Sequence, residues 1–200
     1  MESEFYFQLF LNVSVVLLAT LFFGIFQYIQ FKNPTIKNLA IGVFFSITSI
    51  IAMQTPLELH NGVIVDSRTP LTALSGYYGG VYGAAISFII TALYRLQLGG
   101  VGTQAGVIVI LMASVIGCFY YYKDKSLMGN SKYSFYSQVF FAVKLAFFAI
   151  ISIFMLPMEI ASPLFKKMWL PIGIYFILVA VTFISVINVF LEKKGSITND

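Results

Sequence analysis

Long apolar runs separated by short polar segments make up almost the whole chain, and the runs have the length of membrane crossings. A helix needs about 20 apolar residues to cross the hydrocarbon core of a bilayer. Residues 5–29 form one such run, ended by the polar segment 30–38 with Lys32, Asn33, Pro34 and Lys37. Residues 39–55 form a second, closed by Pro56. Residues 103–122 form a third and finish on Tyr120-Tyr121-Tyr122, the kind of aromatic belt that sits where a helix meets the headgroups. Residues 135–156 and 168–191 are the last two, with a basic polar loop at 123–134 before them. A short loop with Pro157, Glu159, Pro163, Lys166 and Lys167 separates them. Residues 56–67 read as a polar loop holding Glu58, His60, Asn61-Gly62 and Asp66.

The segment 69–98 fits none of these patterns simply. As one straight helix it would carry Arg68 and Arg95 to opposite faces of the membrane, roughly 40 Å apart at about 1.5 Å per residue. The alternative is a break at Gly79-Gly80 that sends the chain in and back as a helical hairpin. Gly-Gly is a strong local punctuator, and a non-spanning helix pair is allowed where protein surrounds it.

Basic residues discriminate between the two arrangements. With the hairpin, Lys32, Lys37, Lys123, Lys125, Lys132, Lys193 and Lys194 share one side, seven in all, against Arg68, Arg95, Lys166 and Lys167 on the other, which is four. With a straight helix the split is five against six, Lys144 lying inside its span in both cases. Only the hairpin gives a cytoplasmic side by the positive-inside rule, with the N-terminus outside and the C-terminus in the cytoplasm.

Composition agrees with a membrane protein. Of 200 residues, 59% are apolar and 10% charged, against roughly 25% charged in a soluble domain. A backbone in lipid must satisfy its own hydrogen bonds, so the expected fold is an all-α integral membrane bundle: five full transmembrane helices plus a Gly-broken hairpin at about 66–98. The membrane domain so defined is 1–191, with 192–200 as a cytoplasmic tail. The net charge of +4, from 12 basic and 8 acidic residues, is spent on topology signals between apolar runs and not on a nucleic-acid surface. Glu2 and Glu4 precede the first run where a signal peptide would have basic residues, so the run is expected to remain as a helix. The lone Cys118 excludes an intrachain disulfide and reads as a packing residue.

The candidate chemistry lies in the two arginines. Arginine at membrane depth costs from roughly 3 to above 10 kcal/mol without a partner, and such residues mark functional sites. If both reach one vestibule they form a clamp for a small anion, since guanidinium groups stay charged and bind carboxylates through paired, charge-assisted hydrogen bonds. The polar groups expected to complete the pocket are Asp66, Ser67, Thr69, Ser75, Thr103 and Gln104, with Tyr77 and Tyr94 as walls. The competing reading pairs Arg68 with Asp66 or Glu58 and lets Arg95 snorkel to the interface. Gly79-x-x-x-Gly83 and Gly102-x-x-x-Gly106 have the spacing that lets helix backbones approach closely. His60 lacks the neighbours of a metal ligand, and Lys144 reads as snorkelling to the basic side. No catalytic arrangement and no cofactor site is present, so an enzyme is not expected.

The runs Val65-Asp66-Ser67-Arg68, Leu74-Ser75-Gly76-Tyr77-Tyr78-Gly79-Gly80, Tyr94-Arg95-Leu96 and Gly99-Gly100-Val101-Gly102 resemble the transmembrane receptor domain of the LytS-YhcK type, a five-transmembrane sensor module. The resemblance covers about 39–191, and its specific part is 66–106. It implies a bacterial inner-membrane sensor with a cytoplasmic histidine kinase or GGDEF diguanylate cyclase after the last helix. Some members are pyruvate receptors and others are linked to control of murein hydrolases and autolysis, so a small carboxylate such as pyruvate is the expected ligand; membrane lipid and a second copy in a homodimer are the other expected partners. Arg68 and Arg95 fall on the family's arginine motifs. The layout is similar to the substrate-binding subunits of energy-coupling-factor vitamin transporters, so a solute transporter or its binding subunit is the alternative. Val81 stands where the family often has proline, and Gly106 and Val109 leave the next span with few hydrogen-bonding side chains. The chain stops soon after the last span, which reads as the excised sensor portion of a longer receptor in preference to a stand-alone relative that needs a partner.

Overall fold

The computed structural model describes the backbone of residues 2–60, 63–127 and 131–197. Among them are six α-helices: α1 (Glu2–Phe26), α2 (Pro34–Gln54), α3 (Arg68–Leu98), α4 (Thr103–Leu127), α5 (Ser131–Ile151) and α6 (Met158–Ile197). A 3-10 turn, Ser152–Met155, continues α5. The loop after α2 contains a small antiparallel hairpin, β1 (Leu57–His60) and β2 (Val63–Val65), with Leu57 opposite Val65 and Glu58 opposite Ile64. Asn61 and Gly62, between the two strands, lie outside the described residues, as do the side chains of Glu58 and His60.

Local chemistry sets the ends of α2. The side chain of Asn33 accepts a 2.8 Å hydrogen bond from the backbone N–H of Thr35, and Pro34 at the first helical position needs no partner for the N–H it lacks. Two expected loops are shorter than their polar residues suggested. The helix α2 begins inside the segment 30–38, and α6 begins at Met158, before Pro163, Lys166 and Lys167. Pro34 suits the start of α2 because the first N–H groups have no helical partner in any case, whereas Pro163 and Pro171 lie inside α6, where each leaves one helical hydrogen bond unmade.

The long α3 is a hairpin. Gly80 has φ 58° and ψ −149°, a backbone state open to glycine and strained for any other residue. Residues 68–79 form a first arm and 81–98 a second, running back beside it. Ser75 Oγ donates a 2.8 Å bond to the Gly83 carbonyl, which only a reversal of the chain permits. Length and apolarity alone pick α3 as a span, but it does not cross. The crossings are α1, α2, α4, α5 and α6, as the apolar runs indicated.

The first arm occupies the centre of the bundle, and every residue from Arg68 to Gly76 is buried. Glycines let its neighbours come that close. A methyl group at Gly76 would meet the backbone of Ser114 and Cys118, and one at Gly117 would lie 1.9 Å from the Ala73 carbonyl oxygen. Gly42 lies equally close to Gly83 and Ile86 on the second arm. Without water to drive burial, close backbone packing and its dispersion contacts are the main source of helix association in lipid. Around this centre an aromatic cluster joins α1, α2, α3 and α6, with Phe23 4.9 Å from Phe45 and 5.0 Å from Tyr78 between ring centroids, and Phe45 5.6 Å from Phe183. Large apolar side chains such as Phe22, Leu93, Phe140 and Leu178 are exposed on the outside of the bundle, where the hydrocarbon of a bilayer covers them. The side chain of Lys144, exposed on α5, lies 5.2 Å from the Tyr120 ring centroid and 5.6 Å from that of Phe119, a cation held over aromatic faces.

Candidate functional site

The reversal at Gly80 returns the second arm to the level at which the first began. Arg68 opens the first arm, and Arg95 lies one turn from the end of the second. They are 6% and 2% exposed. Beyond Arg95 the chain turns through Gly99 and Gly100, with φ 67° and 91°, and α4 starts back down beside both arms. The guanidinium of Arg95 holds this turn, donating a 2.8 Å bond from Nη1 to the Gly99 carbonyl. A methyl group on Gly106 in α4 would sit 2.8 Å from Nε of Arg95 and 3.4 Å from Nη2 of Arg68. Both guanidinium groups thus close on one point, from elements 27 residues apart in sequence.

Two guanidinium groups flanking one methyl-sized space repel each other, by a few kcal/mol at an effective dielectric of about 20. Asp66 offsets part of this. Its Oδ2 is 3.4 Å from Nη1 of Arg68, and its Oδ1 accepts a 2.9 Å bond from the Arg68 backbone N–H, which starts the helix. The compensation is incomplete. Nη1 of Arg68, Nε of Arg95 and Oδ2 of Asp66 are buried with no hydrogen-bond partner among the described residues. Buried charged groups without partners are rare and costly, and each asks for a reason.

These atoms face a cavity of about 70 Å³. At about 10–15 Å³ per water-sized group, that is room for a ligand of roughly half a dozen non-hydrogen atoms. One wall is polar, formed by Asp66, Arg68, Thr69 and Arg95. Gly102, Ala105, Gly106 and Val109 form the α4 side. The opposite wall is Ala149, Ser152, Ile153 and Leu156 from the end of α5 and its 3-10 turn, with Ile172 and Phe176 from α6. Six of these residues, Ala105, Ala149, Ile153, Leu156, Ile172 and Phe176, belong to a separate apolar cluster at this end of the bundle.

A buried hydrogen-bond network fixes the entry to the first arm. Asn12 Oδ1, on α1, accepts from the backbone N–H of Ser67 at 2.9 Å and from Ser67 Oγ at 2.8 Å. Its Nδ2 donates to the Thr55 carbonyl. Ser67 Oγ is also bonded to the hydroxyl of Tyr175 on α6, which lies 3.5 Å from Asn12 Oδ1. Ser67, between Asp66 and Arg68, is thereby tied to two other helices, α1 and α6.

Of the residues singled out in sequence, Asp66, Arg68, Thr69 and Arg95 come together in the cavity wall. The others stand elsewhere. Ser67 belongs to the network behind the wall. Ser75 is buried between the hairpin arms, and Tyr77 packs its ring 5.2 Å from that of Phe141. Thr103 bonds the Gly100 carbonyl, Gln104 is exposed, and Tyr94 is half-buried outside the lining. The pairing of Arg68 with Asp66 is present, whereas Arg95 does not snorkel: at 2% exposure it is enclosed. Asn12 and Tyr175 escaped the sequence reading. A buried amide inside an apolar run was a usable signal for the first, but Tyr175 is one of 12 tyrosines and nothing local sets it apart.

A family model described as the 5TMR of 5TMR-LYT, the five-transmembrane receptor domain of LytS-type proteins, matches residues 20–189. The chain belongs to this family. No curated protein and no solved structure matches it. As a five-transmembrane receptor domain the chain is a multi-pass membrane sensor module, and the match spans all of the cavity wall. Asn12 lies ahead of the matched residues.

Proposed function

We propose that this receptor domain senses a small extracellular carboxylate, pyruvate being the leading candidate, and passes the signal through α6 to a cytoplasmic histidine kinase or GGDEF diguanylate cyclase. The observation that carries the reading is the convergence of Arg68 and Arg95 on Gly106, with two guanidinium N–H atoms buried and unpartnered. A carboxylate has two oxygens to give them. Closing the pocket without an anion confines two like charges. Binding therefore favours the closed state through its difference in affinity, which is all a ligand can use to shift a receptor.

Orientation follows from the seven-to-four distribution of basic residues, with the cavity end outside and the C-terminus of α6 in the cytoplasm of a bacterial inner membrane. The helix α6 is suited to carry the response, because Ile172 and Phe176 touch the cavity while Tyr175 between them is tied to Ser67. A homodimer lets two such helices act on a paired output domain. This domain binds and relays, and catalysis belongs to the output domain.

Calorimetric titration of the purified chain with pyruvate tests the site. Charge-assisted hydrogen bonds contribute roughly 1.5–3 kcal/mol each, so Arg68→Ala and Arg95→Ala should each weaken binding at least about tenfold. Unchanged affinity in both variants overturns the reading. Proteoliposomes loaded with the chain should show no pyruvate flux, and steady flux would make it a transporter instead.

A further inference from the structure

We propose that the end of the bundle opposite the arginine cavity carries a second site, in which Lys123 and Lys144 hold the phosphate of an anionic phospholipid. This site stands whatever the cavity binds.

Lys144 is the residue that calls for it. It lies inside the apolar stretch Tyr136–Met155 and is exposed on α5, so its side chain faces lipid. A lysine there is costly unless it reaches an interface or an opposite charge. Side chains on a helix lean toward its N-terminus, which for α5 is the end away from the cavity. The Lys144 ammonium stands 5.2 Å from the ring centroid of Tyr120 on α4. The ammonium of Lys123, one turn further along α4, stands 5.2 Å from the same ring. Two cations from two helices thus gather on one aromatic side chain, no more than twice that distance apart. Tyr120 is fully buried, and its hydroxyl has no hydrogen-bond partner among the described residues. The platform is therefore fixed and carries an unused O–H donor.

Charge and apolar surface both select the occupant. From Thr103 to Leu156 the basic residues are Lys123, Lys125, Lys132 and Lys144, against Asp124 as the one acidic residue. That excess attracts an anion. The approach to Lys144 is through lipid, because Phe119 beneath its ammonium and Phe140 and Phe147 on its own helix face are exposed apolar rings. An acyl chain covers these rings while the headgroup phosphate meets the lysines, which a free cytoplasmic anion does not do. Flexible lysine stems let both ammonium groups close on one phosphodiester, and charge-assisted hydrogen bonds to its oxygens are strong.

Native mass spectrometry of the full chain in detergent, titrated with phosphatidylglycerol or with phosphatidylcholine of the same acyl chains, tests the site. Both lipids have the phosphate, but choline cancels its charge. A lysine beside an anionic lipid is worth about fivefold in affinity, so phosphatidylglycerol should bind at least fivefold tighter. Lys123→Gln with Lys144→Gln should bring the two lipids within twofold of each other. Lys193→Gln with Lys194→Gln removes the same charge from the same end and should leave the preference intact. Equal affinity for the two lipids overturns the proposal. So does a preference that survives the first pair of substitutions, or one that the second pair abolishes as fully. Inorganic phosphate that displaces phosphatidylglycerol at equal concentration assigns the site to a free anion and overturns the lipid. Where the first pair fails to fold, Lys123→Gln alone decides: the preference should fall at least twofold, and an unchanged one overturns the proposal.

Discussion

Ser75 Oγ donates a hydrogen bond to the carbonyl of Gly83, eight residues further along, at 2.8 Å. In a continuous helix those residues stand roughly 12 Å apart along the axis, so this bond is made only because the chain reverses at Gly80. The same reversal places Arg95 beside Arg68. The bond and the clamp are two consequences of one turn.

Ser75→Ala should therefore lower stability and leave the ligand contacts in place. Losing one buried hydrogen bond costs roughly 0.5–1.5 kcal/mol. A lower melting temperature in detergent with ligand affinity unchanged is the expected pair of results. A large affinity loss without destabilisation would place Ser75 in the site after all.

Gly106 should behave oppositely. A methyl group there meets the flexible end of Arg95, 2.8 Å from Nε, and the side chain can move aside at modest energetic expense. Gly106→Ala should fold but spoil the clamp geometry, weakening pyruvate binding about tenfold, the equivalent of one charge-assisted hydrogen bond. Titration calorimetry beside a melting curve separates the two effects.

At Gly117 no such escape exists. An added methyl lies 1.9 Å from the backbone oxygen of Ala73, and backbone on both sides of the contact is helical. Gly117→Ala should cost at least the 1–3 kcal/mol typical of an overpacked core, read as lost yield of folded protein or a steep fall in melting temperature. Normal melting behaviour would show that the first arm does not press on α4.

Tyr175→Phe removes a hydroxyl from the Asn12–Ser67 network and little volume. Stability should drop by roughly 1 kcal/mol. Fused to a reporter kinase, the variant should bind pyruvate within a few-fold of the unaltered chain but give a smaller response, since the tie between Ser67 and α6 is lost. An unchanged response would mean that α6 senses the ligand through Ile172 and Phe176 alone.

Gln104→Ala serves as a control on the cavity wall. Gln104 is exposed and outside the lining, and surface substitutions of this kind shift free energies by about 0.5 kcal/mol or less. Pyruvate affinity should stay within about twofold.

The sequence by itself determined what depends on local pattern. Apolar runs of membrane length specified the five crossings. Gly79-Gly80 marked the reversal, because a positive φ is open to glycine. Arg68 and Arg95 stood out because charge inside an apolar chain is costly. Tertiary structure alone decided which groups share the cavity. Nearness in sequence favoured Thr103 and Gln104, but the helical period turns these away and brings Gly102, Ala105, Gly106 and Val109 to the wall. Ile153, Leu156, Ile172 and Phe176 line the site with side chains that read as ordinary core or lipid-facing residues. Asn12 and Tyr175 reach Ser67 across 55 and 108 positions. Such contacts arise from how helices pack, and packing depends on close approach between distant segments, which no local run of residues encodes.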